Sequence, residues 1–295
     1  MPFLQVTLDL EGRDPGAAED AFFALGSSAV TLGDAADHPI LEPRPGETPL
    51  WPDVRVTALF DAATDPVALT TALAAALDVD AAAIACERLE DRAWEREWLK
   101  DFKPMRFGRR LWICPGGQQV DPSADSPVIL ELDPGLAFGT GTHATTAMCL
   151  EWLDGADLRD RAVLDYGCGS GILALAALKL GARSAHAVDI DPQALLATGE
   201  NAARNGLSAR LVVQPVEAAL PGPFDVVLAN ILAGPLVELA PILAGLTRGR
   251  GSVVLAGLLD EQAETVAAAY RTWFDIDTVA SRGGWTARAG RRRAE

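Results

Sequence analysis

Apolar and polar residues alternate along "FLQVTLDL", residues 3–10, as on a strand with one face buried, and the period then lengthens through "PGAAEDAFFALGS", residues 15–27, to that of a helix with Pro15 at its start. "AVTLGDA", residues 29–35, returns to a strand-like pattern. A Pro-rich stretch, "HPILEPRPGETPLWPD", leads to a strand "VRVTALF", an Ala/Leu helix "DPVALTTALAAALD" and a last strand "AIACERLE" that ends at residue 90. From Arg161 the rhythm changes. Apolar runs "RAVLDYG", "SAHAVDI", "ARLVVQP", "FDVVLANI" and "GSVVLAGLL" are interleaved with the helical segments "ILALAALKLGA", "DPQALLATGENAARNG" and "LVELAPILAGL", and "DEQAETVAAAYRTWF" adds a further helix. Strands that are apolar along their whole length and spaced by helices predict a parallel sheet covered on both faces.

The first six elements run strand, helix, strand, strand, helix, strand, the split order of a ferredoxin-like α+β domain. The chain is therefore expected to divide into a small ferredoxin-like domain at residues 1–90, a linker helix with connecting strands at 91–132, and a Rossmann-like α/β domain with a mostly parallel, doubly wound sheet at 133–295. In the linker, "DRAWEREWLKDF" sets Trp94 and Trp98 four residues apart on one helix face, where packing onto a domain is expected. "MRFGRRLWICPGG" reads as a short strand with a turn.

Composition changes this picture little and charge changes it more. With 49% hydrophobic and 22% charged residues, the chain has the make-up of a soluble globular protein. The start carries no basic segment followed by an apolar run, and no apolar stretch approaches the ~20 residues that span a bilayer, so a cytoplasmic location and no membrane partner are expected. The cysteines Cys86, Cys114, Cys149 and Cys168 form no Cys-x-x-Cys pair and have no His at ligand spacing, which argues against a disulfide scaffold and against a metal site. The first three are expected to be buried thiols and Cys168 a small loop residue. Residues 1–100 hold 19 Asp and Glu against 7 Lys and Arg, and the remainder 22 against 18, so most of the net −16 lies in the first third. Such a surface repels a polyphosphate backbone and suits a basic partner. Direct nucleic-acid binding is not expected, and the chain is expected to act as a monomer.

Two glycine-rich segments carry the candidate chemistry. "DPGLAFGTGTHATT", residues 133–146, looks like a phosphate loop but has Thr142 and His143 where such a loop needs Lys and then Ser or Thr. "DYGCGSG", residues 165–171, places Gly167, Gly169 and Gly171 where a strand turns into its helix, so that backbone can approach a ligand without Cβ obstruction. A dinucleotide fingerprint would need its third glycine at Ile172. Asp165 precedes the turn, and Asp189 ends the next strand, placed to accept both hydroxyls of a ribose. S-adenosylmethionine offers a ribose and a cationic methionine moiety without a phosphate. It fits two carboxylates beside a glycine loop that lacks Lys and Arg. Asp191, followed by Pro192, reads as a helix cap.

"VLDYGCGSGILALAALKLGA" followed by "AVDIDPQAL" resembles the cofactor half of class I S-adenosylmethionine-dependent methyltransferases, and "DPGLAFGTGTHATTAMCLEWL", "NILAGPL" and "PMRFGRRLWICP" resemble the PrmA family, which methylates the large-subunit ribosomal protein L-eleven. The resemblance implies a protein N-methyltransferase acting on lysine side-chain or N-terminal amines of a basic ribosomal protein, which the front domain recognises. It also implies that "GLAFGTGTHATT" folds over S-adenosylmethionine, with Phe138, Gly139, Thr145 and Thr146 on one side of the ligand and Asp165, Gly167, Gly169 and Asp189 on the other. Asn230 stands where its amide oxygen can orient the incoming amine. Many amine methyltransferases follow this Asn or Asp with two prolines and an aromatic residue, and here Ile231, Leu232 and Ala233 follow instead. His143 is expected to be structural. Methylation of another basic protein or of RNA, a nicotinamide reductase and a noncatalytic ribosome-binding protein are the alternatives.

Overall fold

The computed structural model describes residues 2–36, 49–89, 103–116, 118, 120, 126–132 and 141–294. The predicted linker helix with Trp94 and Trp98 lies outside these residues, as do Phe138 and Gly139. The chain divides into two compact units, Met1–Glu97 and Trp98–Glu295.

In the first unit, β1 (Phe3–Asp9), α1 (Pro15–Ala24), β2 (Ala29–Asp34), β3 (Val54–Asp61), α2 (Pro66–Leu77) and β4 (Ala85–Leu89) follow the expected order. The strands make an antiparallel sheet in the order β2-β3-β1-β4, the ferredoxin-like arrangement. Alternation along β1 buries Leu4, Val6 and Leu8 in one core with Phe22 of α1 and Leu69 and Leu73 of α2. Both helices open on an Asp-Pro pair. Asp14 accepts the N–H of Gly16 at 3.0 Å and Asp65 that of Val67 at 2.9 Å, while Pro15 and Pro66 occupy the first turn, where a missing N–H costs nothing. Cys86, expected to be buried, is exposed, because β4 is an edge strand with most of its residues open to solvent.

In the second unit, "MRFGRRLWIC" forms a hairpin rather than one strand: β5 (Met105–Phe107) pairs antiparallel with β6 (Leu111–Cys114), and β7 (Val128–Glu131) pairs parallel with β6. The turn is held by Asp154, a buried carboxylate that accepts the N–H of Arg109 at 2.6 Å. Gly108 passes so close to it, at φ +66°, that an added Cβ would lie 2.8 Å from the Asp154 Cβ.

The main sheet comprises β8 (Ala162–Tyr166), β9 (Ser184–Asp189), β10 (Leu211–Pro215), β11 (Phe224–Asn230), β12 (Thr247–Leu259), β13 (Phe274–Arg282) and β14 (Trp285–Arg292), in the order β10-β9-β8-β11-β12-β14-β13. The first five in that order are mutually parallel, and β14 and β13 are antiparallel additions. This Rossmann-like sheet is covered by α3 (Ala144–Gly155), α4 (Ile172–Lys179), α5 (Pro192–Arg204), α6 (Ala233–Glu238), α7 (Ala240–Leu246) and α8 (Ala263–Tyr270). Successive residues of each strand feed opposite faces. Val163 and Leu228 join Leu150, Leu173 and Leu175 in one core, whereas Leu164 and Val227 join Leu236, Leu243 and Tyr270 in the other. "LVELAPILAGL" is divided between α6 and α7, with Pro241 in the first turn of the second helix. The pair β13–β14, turned at Gly283 and Gly284 with φ of +59° and +82°, was not part of the sequence expectation.

Candidate active site

The chain leaves β8 for β9 and β10 on one side, then crosses to β11 on the other, so the sheet reverses its direction of growth between β8 and β11. Loops that leave the carboxyl ends of strands at such a point flank an open crevice. Three of the expected loops meet there in register: Tyr166 of β8 pairs with Val188 of β9 and with Ala229 of β11, one residue before Asp189 and Asn230 respectively.

The glycine turn is shaped as much by its protein neighbours as by room for a ligand. Gly167, Gly169 and Gly171 all adopt positive φ, at +78°, +53° and +78°. An added Cβ on Gly167 would press into the Ile231 side chain, and one on Gly171 would fall 2.7 Å from Thr198 Cγ2. From α5, Thr198 Oγ1 donates to the Gly169 carbonyl at 3.0 Å and Asn201 Nδ2 donates to that of Ser170 at 2.9 Å. Cys168 Sγ lies 3.4 Å from Thr198 Oγ1, and burial pushes its thiol pKa up to about 12, which leaves it inert and consistent with a small loop residue.

The two carboxylates differ. Asp165 is 1% exposed; one oxygen accepts the N–H of Ala174, in the first turn of α4, at 3.0 Å, and the other is buried without a partner. Burial, with the nearby charge of Asp189 adding to it, pushes its pKa up to about 7. Asp189 is not a bare strand tip: its oxygens accept the N–H groups of Gly169 at 2.9 Å and Asp191 at 3.0 Å. It orders the turn, and each oxygen keeps a lone pair for a ligand hydroxyl. Asp191 caps α5 through the N–H of Gln193 at 2.9 Å. Ile190, which the sequence reading passed over, is 80% exposed beside Asp189 and offers an apolar face to a planar ring.

Residues 141–146, the described part of the first glycine segment, lead into α3. His143 caps that helix, its Nδ1 accepting the Thr145 N–H at 3.4 Å and lying 2.7 Å from the Thr145 hydroxyl, and its ring meets Trp285 edge-on at 4.8 Å. These contacts give it a structural role. Thr145 and Thr146 are buried in the first turn, and Asn230 Nδ2 donates to Thr146 Oγ1 at 3.2 Å, which ties α3 to the end of β11 and commits the amide nitrogen. At Gly141 an added Cβ would touch Phe107, Met105 and Ile172, the residue that opens α4, so Gly141 itself packs where the second glycine cluster ends. Ile231 is gripped from two sides. Besides Gly167, Gly257 sits at φ +86° where β12 shifts register, with an added Cβ 2.8 Å from the Ile231 carbonyl carbon.

The crevice thus offers hydroxyl acceptors at Asp189, a buried carboxylate oxygen without a partner at Asp165, and an amide–hydroxyl pair at Asn230 and Thr146. No Lys or Arg stands in its glycine turn. That donor set fits a cationic nucleoside and leaves a phosphate unneutralised. Of the residues singled out from sequence, Thr145, Thr146, Asp165, Gly167, Gly169, Asp189 and Asn230 lie on these converging elements.

The family model described as "Ribosomal protein L11 methyltransferase (PrmA)" matches residues 2–293. A protein of Pseudomonas aeruginosa (strain LESB58) named ribosomal protein L11 methyltransferase is 53% identical over 296 residues, which is 100% of both chains. One of the same name from Actinobacillus succinogenes is 50% identical over 292 residues, 97% of each. The crystal structure of ribosomal protein L11 methylase from Lactobacillus delbrueckii subsp. bulgaricus aligns at a TM-score of 0.60 with 36% identity, covering 65% of this chain and 100% of that one.

Proposed function

The chain belongs to the ribosomal protein L11 methyltransferase (PrmA) family, and from that premise we propose how its residues divide the work of methyl transfer. It is an S-adenosylmethionine-dependent methyltransferase, and ribosomal protein L11 is its substrate. The donor supplies a methyl group already activated on a sulfonium. The protein must therefore align an amine lone pair behind that carbon and favour the neutral amine over an ammonium whose ordinary pKa is ~10.4. The accepting groups are lysine side-chain and N-terminal amines of L11.

One observation carries the assignment: Asn230 donates to Thr146 beside the glycine turn at the sheet's switch point, leaving the amide oxygen as the acceptor for the incoming amine. Asn230 is a positioning residue in this reading. Asp189 receives the ribose hydroxyls, Asp165 faces the cationic end of the donor, and Gly167 and Gly169 bring backbone against it. Thr145 and Thr146 hold the opposite wall, with Phe138 and Gly139 in the covering segment. The acidic unit at the front of the chain captures the basic ribosomal protein, and the enzyme works as a cytoplasmic monomer.

Mass spectrometry of L11 after incubation with enzyme and donor reports site and methyl count together. Methyl groups on its lysines or α-amine are expected. Methyl groups found only on RNA or on other proteins would overturn the reading. Asn230→Ala should lower turnover by roughly tenfold or more while donor affinity holds, and unchanged turnover on L11 would remove Asn230 from this role.

A further inference from the structure

Arginines stand at the entrance to four of the five parallel strands of the main sheet: Arg210 before β10, Arg183 before β9, Arg161 before β8, and Arg248 and Arg250 in the first residues of β12. Arg291, near the end of antiparallel β14 and opposite Ser252 of β12, lies at the same edge. All six are exposed. Adjacent strands lie ~4.8 Å apart, so the row crosses the amino-terminal edge of the sheet in short steps, opposite the edge that carries Asp189 and Asn230. Its neighbours are linked through the backbone: Arg183 N–H donates to the Arg161 carbonyl at 2.9 Å, and Arg210 Nη1 donates to that of Ala182 at 3.3 Å.

Where the row passes β11 the surface opens into a depression of about 440 Å³ lined by Arg161, Arg248, Arg250, Arg291 and Trp152, with Asp225 at its margin. Asp225 is 7% exposed and fully occupied, accepting the N–H of Ala162 at 2.9 Å and Nη1 of Arg248 at 2.6 Å, with Nη1 of Arg161 at 3.7 Å. It holds two half-exposed guanidinium groups in place. The other lining carboxylate, Asp157, is taken by Arg159 at 2.9 and 3.1 Å, and exposed Asp160 acts on the same arginine. Among the described residues, the side chains of Arg250 and Arg291 have no hydrogen-bond or ion-pair partner. Arg250 stands at φ +61° between Gly249 and Gly251, a backbone state rare for a side chain of its size.

Guanidinium groups recognise phosphate oxygens in a planar, forked geometry, and a line of them suits an anion that repeats along a strand. We propose that this edge is a binding track for the phosphodiester backbone of RNA, separate from the methyl-transfer crevice. This departs from the expectation of no nucleic-acid contact, which rested on the acidic first third and did not resolve where on the second unit its arginines gather. A chain of net charge −16 binds a polyanion only through such a local concentration.

The test is fluorescence anisotropy of a labelled single-stranded RNA oligonucleotide with the full-length chain across a salt series. Binding should weaken with salt at ~0.7 logarithmic units per neutralised phosphate, and Arg250→Ala combined with Arg291→Ala should cost more than tenfold at low salt and flatten the slope by about 1.4. Arg183→Ala combined with Arg210→Ala, at the far end of the row, should weaken binding as well. Donor affinity by calorimetry should be unchanged in both variants, which establishes that they fold. The proposal is overturned by the absence of RNA binding at ~50 mM salt, or by variants that bind as the parent does. It is also overturned if inorganic phosphate binds in the depression while RNA affinity ignores Arg183 and Arg210.

Discussion

Gly257→Ala should damage catalysis without touching any residue that meets a ligand. The added methyl would lie 2.8 Å from the Ile231 carbonyl carbon, closer still to its oxygen, and 3.1 Å from its nitrogen. All three are backbone atoms, so no rotamer change relieves the contact. Alanine at φ +86° costs about 1–2 kcal/mol and overpacking of this kind a further ~1–3 kcal/mol, together about 2–5 kcal/mol. For a unit of this size that lowers the melting temperature by on the order of 10 °C. Ile231 is the residue after Asn230, so a shift of ~1 Å at its peptide should displace the amide and lower turnover by ~100-fold, with a smaller effect on donor affinity. Differential scanning fluorimetry and steady-state kinetics on L11 measure both. Gly245→Ala is the control, because an added Cβ there meets nothing within 4 Å and the site lies within α7. If the two variants melt and turn over alike, the loop after β11 is not held by Gly257 and the reasoning fails.

Three further outcomes follow from the crevice and the front unit. Because Asp189 accepts two backbone N–H groups as well as the proposed ribose, Asp189→Ala should lose ~100-fold in donor affinity and Asp189→Asn, which keeps one acceptor, ~10-fold; calorimetry showing neither loss would move the ribose elsewhere. Burial raises Asp165 from 3.8 to about 7, so the folded state holds a proton that the unfolded chain releases between those values, and stability falls as pH rises through that window. Asp165→Asn should therefore melt above the parent at pH ~8 and not at pH ~4, and equal melting at both would contradict the buried charge. A fragment beginning at Arg92 should bind donor yet fail to methylate L11, and the intact enzyme's association with L11 should slow as salt rises; full activity of the fragment would place recognition in the second unit.

Much of the fold was legible where local signals agree. Asp-Pro pairs at Asp14, Asp65 and Asp191 mark three helix starts, and alternating or fully apolar runs mark the strands between them. The hairpin β13–β14 escaped notice because "FDIDTVASRGGWTARAGRR" mixes charge into both strands, although its Gly283–Gly284 pair was a usable turn signal. At the site, glycines and strand-end carboxylates stand out in sequence because spacing carries their meaning. The support given by Thr198, Asn201, Ile231 and Gly257 does not, since each acts through a contact between distant segments. Cys86 was misplaced for a related reason: composition says thiols are buried, and only strand order shows that β4 is an edge.

The placement of Cys168 gives the enzyme a chemical clock. Its sulfur lies buried between Gly167 and Gly169, and burial pushes its thiol pKa up to about 12, which keeps it protonated at neutral pH. Cys86 is exposed to a thiol reagent, whereas Cys114 and Cys149 are buried in the core. If the turn holds the donor as proposed, Cys168 should be modified only when that turn unlocks, and its labelling should slow in proportion to donor occupancy.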